Sequence, residues 1–212
     1  MVSSRLKAAF RQHTGKIITG FVVLVLSTGC YNQKEALPFY NKADFTAEWI
    51  SKNDSAYKHI HTIDTFAMYN QLGKLITKDS LYSYIYVANF FFTICPAICP
   101  KMVSNLQILQ DTFAGNKQVK PVSFSVMPWV DSVARLNEYG EAHHIDPAKW
   151  YLLTGNTERI YTLGRQSYFA EKRLGIKKDS SEFLHTETML MIDKQARIRG
   201  IYNATGKNMF SG

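Results

Sequence analysis

"SYIYVANFFFTICPAICPKM", residues 83–102, decides the fold. Its first ten residues, 83–92, form a run dominated by β-branched and aromatic side chains, the pattern of a strand buried on both faces. Met102, Val103, Leu106, Leu109 and Phe113 then recur at helical spacing. Between the two elements stand Cys95 and Cys99, each followed by a proline, so the pair falls at a strand-to-helix junction.

The same alternation continues along the chain. "VKPVSFSV" reads as a strand, and Val133, Leu136 and Tyr139 follow at helical spacing after Asp131, which is read as the helix N-cap. "WYLLT" is a short strand, and Asn156 opens a helix with Ile160, Leu163 and Ser167 on one side. "TMLMID" and "RIRGIY" form a closing hairpin across "DKQA". Upstream, "HIHTIDTFAMYNQLGKLIT" holds short alternating stretches around the turn-like "NQLGK" and predicts an N-terminal β-hairpin. The expected class is therefore α/β, a central, mostly parallel sheet flanked by helices.

The 212 residues, 46% of them hydrophobic, suffice for one domain with a core. The formal charge of +8 is concentrated at the start, because Arg5, Lys7, Arg11 and Lys16 lie in the first 29 residues, which contain no Asp or Glu. The remaining excess is mild and no basic tract is interleaved with aromatics, so no nucleic-acid partner is expected. The basic start leads into "IITGFVVLVLSTGC", an apolar run of about a dozen residues in the layout of an export signal and shorter than the ~20 a membrane-spanning helix needs. "LSTGC" resembles the lipobox of bacterial lipoproteins, with Leu26 one place further from the cysteine than is customary and Ser27 in its position. Cys30 is then the lipidated N-terminus of the mature chain. The organisation read from this is an export signal over 1–29, a tether and lead-in over 30–56, and the folded domain over 57–212.

With Cys30 lipidated, Cys95 and Cys99 are the whole thiol inventory of an exported domain. Proline is favoured in the first turn of a helix and disruptive inside it, which places the helix start at Pro100, with Cys99 as N-cap. Sulfurs at the positive end of a helix dipole are expected to favour thiolate, which is both a nucleophile and a soft-metal ligand. Redox and metal readings both follow from that chemistry. A dithiol oxidoreductase usually spaces its cysteines by two residues, whereas three residues separate this pair, which leaves room to close a disulfide or to spread around a metal. His185, in the polar loop before the penultimate strand, is the candidate third ligand. Two thiolates and an imidazole suit copper, above all Cu(I). His59, His61, His143 and His144 are read as surface or hairpin residues.

"VANFFFTICPAICPKM", "HHIDPAKWYLLTGNTERIYTLGR" and "FLHTETMLMIDKQARIRGIY" together resemble the SCO/SenC family of copper-binding cytochrome oxidase assembly proteins, over about residues 57–203. The resemblance implies a thioredoxin-like fold with an N-terminal hairpin, tethered to a membrane and facing the periplasm of a bacterial cell envelope. It implies one copper, as Cu(I) or Cu(II), held by Cys95, Cys99 and His185. The implied role is a metallochaperone that takes copper from an upstream donor, is kept competent by a thiol reductant, and serves the Cu(A) subunit of cytochrome c oxidase or another cuproenzyme. The alternative is an envelope thiol-disulfide oxidoreductase that uses Cys95 and Cys99 catalytically on partner cysteines; as a metallochaperone the chain is not a classical enzyme. Three departures stand out. Met127 occupies the place of an acidic residue frequent in the family and is read as a core methionine. "YNATGKNMFSG" is too short and polar for the family's usual closing helix. "HTETM" lacks the proline that thioredoxin-type reductases carry opposite the active site, which weakens the oxidoreductase alternative.

Overall fold

The computed structural model describes residues 36–170 and 187–206. Residues 1–35 with Cys30, read above as an export signal and the start of a tether, residues 171–186 with His185, and residues 207–212 lie outside the described residues. The chain divides into the units Met1–Ala36 and Leu37–Gly212, and the elements below belong to the second.

Nine strands and four α-helices are described: β1 Phe39–Tyr40, β2 Ala47–Glu48, β3 Ala67–Asn70, β4 Leu75–Thr77, α1 Lys78–Leu81, β5 Ile85–Phe91, α2 Cys99–Thr112, β6 Val119–Ser125, α3 Val133–Ala142, β7 Tyr151–Thr154, α4 Thr157–Thr162, β8 Thr188–Ile192 and β9 Ile198–Asn203. A π-helical turn, Leu163–Ser167, prolongs α4. Seven strands form one sheet in the order β4-β3-β7-β6-β5-β8-β9.

The sheet is mixed. Its centre, β5-β6-β7, is parallel, as the strand-helix alternation requires, while β3, β4, β8 and β9 join through antiparallel pairings. The expected parallel character is thus confined to the three middle strands, because both hairpins were read correctly but their docking onto the sheet leaves no local signal. The N-terminal hairpin is β3-β4, closed by Gly73 at φ +72, a conformation glycine adopts without strain. The short β1-β2 ribbon falls within the segment read as tether and lead-in; two-residue strands carry no detectable periodicity.

The run at residues 83–92 forms β5, buried on both faces as expected. Tyr86, Ala88 and Phe90 pack on one side with Phe124 of β6 and Ile160 of α4. Val87 and Phe91 pack on the other with Met102, Val103, Leu106 and Leu109 of α2. Isolated helices of α2's length are marginal in water, whereas each such buried side chain contributes roughly 1.5–3 kcal/mol. Packing on the sheet therefore holds α2, and with it Cys99.

One polar chain crosses this second layer. Trp150 donates from Nε1 to Ser123 Oγ (2.9 Å), Ser123 donates to Asn89 Oδ1 (2.6 Å), and Asn89 donates from Nδ2 to the Met102 sulfur (2.8 Å). Asn89 and Ser123 are direct partners in the β5-β6 register, and all four residues are buried. A buried amide without partners costs a few kcal/mol, so this chain fixes the first turn of α2 against the sheet.

Candidate metal centre

The helix bearing the cysteine pair begins one residue earlier than its prolines suggest. Ile98 is the N-cap, Cys99 the first helical residue and Pro100 the second. Proline is tolerated there because the first N–H groups of a helix lack intrahelical acceptors, so the missing donor removes no bond. Cys95 lies in the preceding turn, where its N–H donates to the Phe92 carbonyl (3.3 Å).

Neither cysteine is bridged in a disulfide and both are buried, Cys95 at 7% exposure and Cys99 at 2%. Their side chains hydrogen-bond to one another. Burial pushes the Cys99 thiol up to about 12; the Phe92 backbone bonded to its sulfur opposes the shift, and Cys95 and the nearby Asp131 reinforce it. The expectation that the helix dipole favours thiolate is overturned at Cys99. Desolvation is the largest cause, because Cys99 is buried in one apolar cluster with Phe91 and Met102 rather than presented at the surface. At neutral pH the Cys99 thiol keeps its proton, so this sulfur is a poor free nucleophile but a competent ligand for a metal that displaces its proton.

Asp131 was expected to cap α3. That role falls to Ser132, whose hydroxyl accepts from the Arg135 N–H (3.2 Å). Asp131 is instead completely buried. Its carboxylate accepts from Thr93 Oγ1 (2.6 Å), the Thr93 N–H (3.2 Å) and Ser125 Oγ (2.5 Å). A signal was present in the sequence: two capping-type residues stand in succession before α3, and a helix uses only one.

Tyr139 of α3 is half-buried near the pair; burial raises its phenol, with Cys99, Cys95 and Asp131 adding to the shift. Its ring contacts Phe91 and, at 4.2 Å, His143. Met189 of β8 is fully buried in the same apolar cluster as the cysteines, at the strand position where the sequence lacks a proline. Met127 is not a core residue. It is half-buried in the loop after β6, where its carbonyl accepts from Val130 and Asp131 (both 2.8 Å). The loops around the site also present Ile94 and Trp129 to solvent, at 51% and 58% exposure.

Among the described residues no group of three metal-ligating side chains occurs, so the sequence-predicted set is represented by Cys95 and Cys99. His185 belongs to the segment outside the described residues. His59 and His144 are exposed. His61 is not on the hairpin but precedes it, half-buried, hydrogen-bonded through Nε2 to the Ser167 carbonyl (2.8 Å).

Two thiols in contact at the mouth of a helix, on a mixed sheet with helices on both faces, define a thioredoxin-like protein with a dithiol suited to disulfide or soft-metal chemistry. The family model described as SCO1/SenC matches residues 54–209, and the chain belongs to that family. The SCO1 protein homolog of Bacillus subtilis (strain 168) is 28% identical over 148 residues, 68% of this chain and 74% of the relative. A SCO1/SenC family lipoprotein from Bacillus anthracis str. Ames superposes with a TM-score of 0.60 at 27% identity, covering 69% of this chain and 87% of that one. Arabidopsis thaliana ScoI with copper bound superposes with a TM-score of 0.53 at 28% identity, covering 68% and 87%.

Proposed function

We propose that the chain is a copper metallochaperone of the bacterial cell envelope, carrying one copper for assembly of the Cu(A) centre of cytochrome c oxidase or of another cuproenzyme. The observation that carries this reading is the contact between the Cys95 and Cys99 thiols, in a family of which a solved member holds copper. The donor set fits the cargo, since two adjacent sulfurs match a soft ion of low coordination number. His185 is assigned as the third ligand.

Loading and release are ligand exchange. Copper binding displaces the Cys99 proton, and a partner's thiolates then replace Cys95 and Cys99 one at a time, so bare copper is never released. The shallow burial of Cys95, in the turn outside α2, makes it the first to yield. The reading as a thiol-disulfide oxidoreductase is less well supported. Three residues rather than the usual two separate the cysteines, and Met189 stands in β8 where thioredoxin-type reductases carry a proline.

His185→Ala tests the ligand set. It is expected to weaken Cu(I) binding and to alter the Cu(II) absorption spectrum while leaving both thiols reducible; an unchanged affinity and spectrum would refute the assignment.

The membrane attachment is proposed through lipid on Cys30, from the "LSTGC" motif after a basic, apolar segment. No described helix is long and apolar enough to cross a membrane. Cells fed radiolabelled fatty acid are expected to label the wild-type chain and not Cys30→Ser. Equal labelling of the two would rule out Cys30 as the lipid attachment site.

A further inference from the structure

We propose that Asp131 is the positioning residue of the cysteine loop: it acts on the dithiol through Thr93 and does not itself touch the metal. The proposal deepens the metallochaperone reading and rests on it for its copper readout.

Asp131 is fully buried, and its three donors come from the ends of the two central strands. Thr93, two residues past β5, gives both its N–H (3.2 Å) and its hydroxyl (2.6 Å); Ser125, the last residue of β6, gives its hydroxyl (2.5 Å). Three donors from the ends of two adjacent strands converge on this one carboxyl group, which makes it a clamp across that end of the sheet. Its own backbone is fixed as well, with the Asp131 N–H on the Met127 carbonyl (2.8 Å).

Thr93 is where the clamp meets the chemistry. It follows Phe92, whose backbone hydrogen-bonds the Cys99 sulfur and whose carbonyl accepts from the Cys95 N–H. The Phe92 carbonyl and the Thr93 N–H are the two ends of one peptide unit, so the clamped position directly adjoins the residue whose backbone contacts both cysteines. Arg135 Nε adds a longer bond to Thr93 Oγ1 (3.3 Å) from the exposed side. A loop held in this way presents Cys95 to Cys99 at a high effective concentration, whereas a loosened loop must lose conformational freedom each time the pair closes, on a metal or on itself.

Both closures therefore respond to Asp131. In the disulfide reaction, oxidised glutathione takes up the two thiol hydrogens of Cys95 and Cys99 and leaves as two reduced glutathiones, while the Cys95–Cys99 bond forms. That reaction needs no copper.

The test compares the full chain with Asp131→Asn, Thr93→Val and Thr93→Ser. Asparagine keeps the shape but has one acceptor oxygen for three donors. Cu(I) affinity is read by chelator competition, the dithiol-disulfide equilibrium in glutathione buffers, and folding by denaturant midpoint. Asp131→Asn and Thr93→Val are expected to weaken Cu(I) binding by about 10- to 100-fold, the range for loss of a supporting outer-shell partner, and to move the glutathione equilibrium several-fold towards the dithiol. Thr93→Ser, which keeps the hydroxyl, is expected to stay near wild type in both. If Asp131→Asn does not fold, Thr93→Val decides. Folded variants with wild-type values in both readouts would overturn the proposal and leave Asp131 a structural residue. If the wild-type chain itself holds no copper, the metallochaperone reading fails, and the glutathione equilibrium alone decides the positioning role.

Discussion

Serine at Cys95 or at Cys99 is expected to abolish tight copper binding, by more than the roughly 10- to 100-fold that loss of an outer-shell partner costs. A hydroxyl is a hard, poorly dissociated donor and cannot replace a thiolate for a soft ion. The fold should survive. Met102, Val103, Leu106 and Leu109 still hold α2 on the sheet, and burial of one hydroxyl costs about 1–3 kcal/mol. Chelator competition on each variant, with the denaturant midpoint as control, checks the expectation. Retention of tight Cu(I) by Cys99→Ser in a folded protein would show that the metal sits elsewhere.

Copper affinity is also expected to fall steeply as the pH is lowered. Cys99 keeps its proton up to about 12, so at any pH from 5 to 9 copper binding must displace it. Each unit of acidification then costs about a factor of ten from this sulfur alone, or about 100-fold between pH 8 and pH 6. Parallel competition titrations with proton release followed in unbuffered solution would measure it. An affinity flat with pH, with no proton released, would mean that Cys99 is already ionised or does not bind. In the copper-free reduced protein the same shift acts on stability with the opposite trend. A group whose value is raised on folding stabilises the folded state fully below its ordinary 9.0, and that contribution disappears as pH rises towards 12.

The central strands, the helices α2, α3 and α4 and both hairpins were legible from pattern: a run of β-branched and aromatic side chains in β5, and 3- and 4-residue spacing in α2 and α3; the single turn α1 was not, being too short to carry a period. What the sequence hid depends on three-dimensional neighbours. The parallel character of the sheet was overestimated because β3 and β8 join it antiparallel, through pairings with no sequence mark. At the site, the junction and both cysteines were visible in one quoted segment. The state of Cys99 was not, since the desolvation that raises its thiol comes from its burial among Phe91, Met102 and the rest of the cluster, which are brought together only by the fold. Asp131 was visible as a residue but assigned to the wrong partner. Capping is a contact across three positions, while its actual bond to Thr93 spans 38 positions. Met127 illustrates the converse: an apolar residue at the end of a strand reads as core, yet the strand ends at Ser125 and Met127 belongs to the loop.

The measurement that bears most directly on the whole account is an anaerobic Cu(I) titration of the reduced full chain against a competing chelator. The expected result is one tightly held equivalent, with loss of two titratable thiols on binding. Copper left with a moderate chelator, while Cys95 and Cys99 exchange readily to a disulfide with a thiol donor, would contradict a metallochaperone and establish the dithiol as the working form.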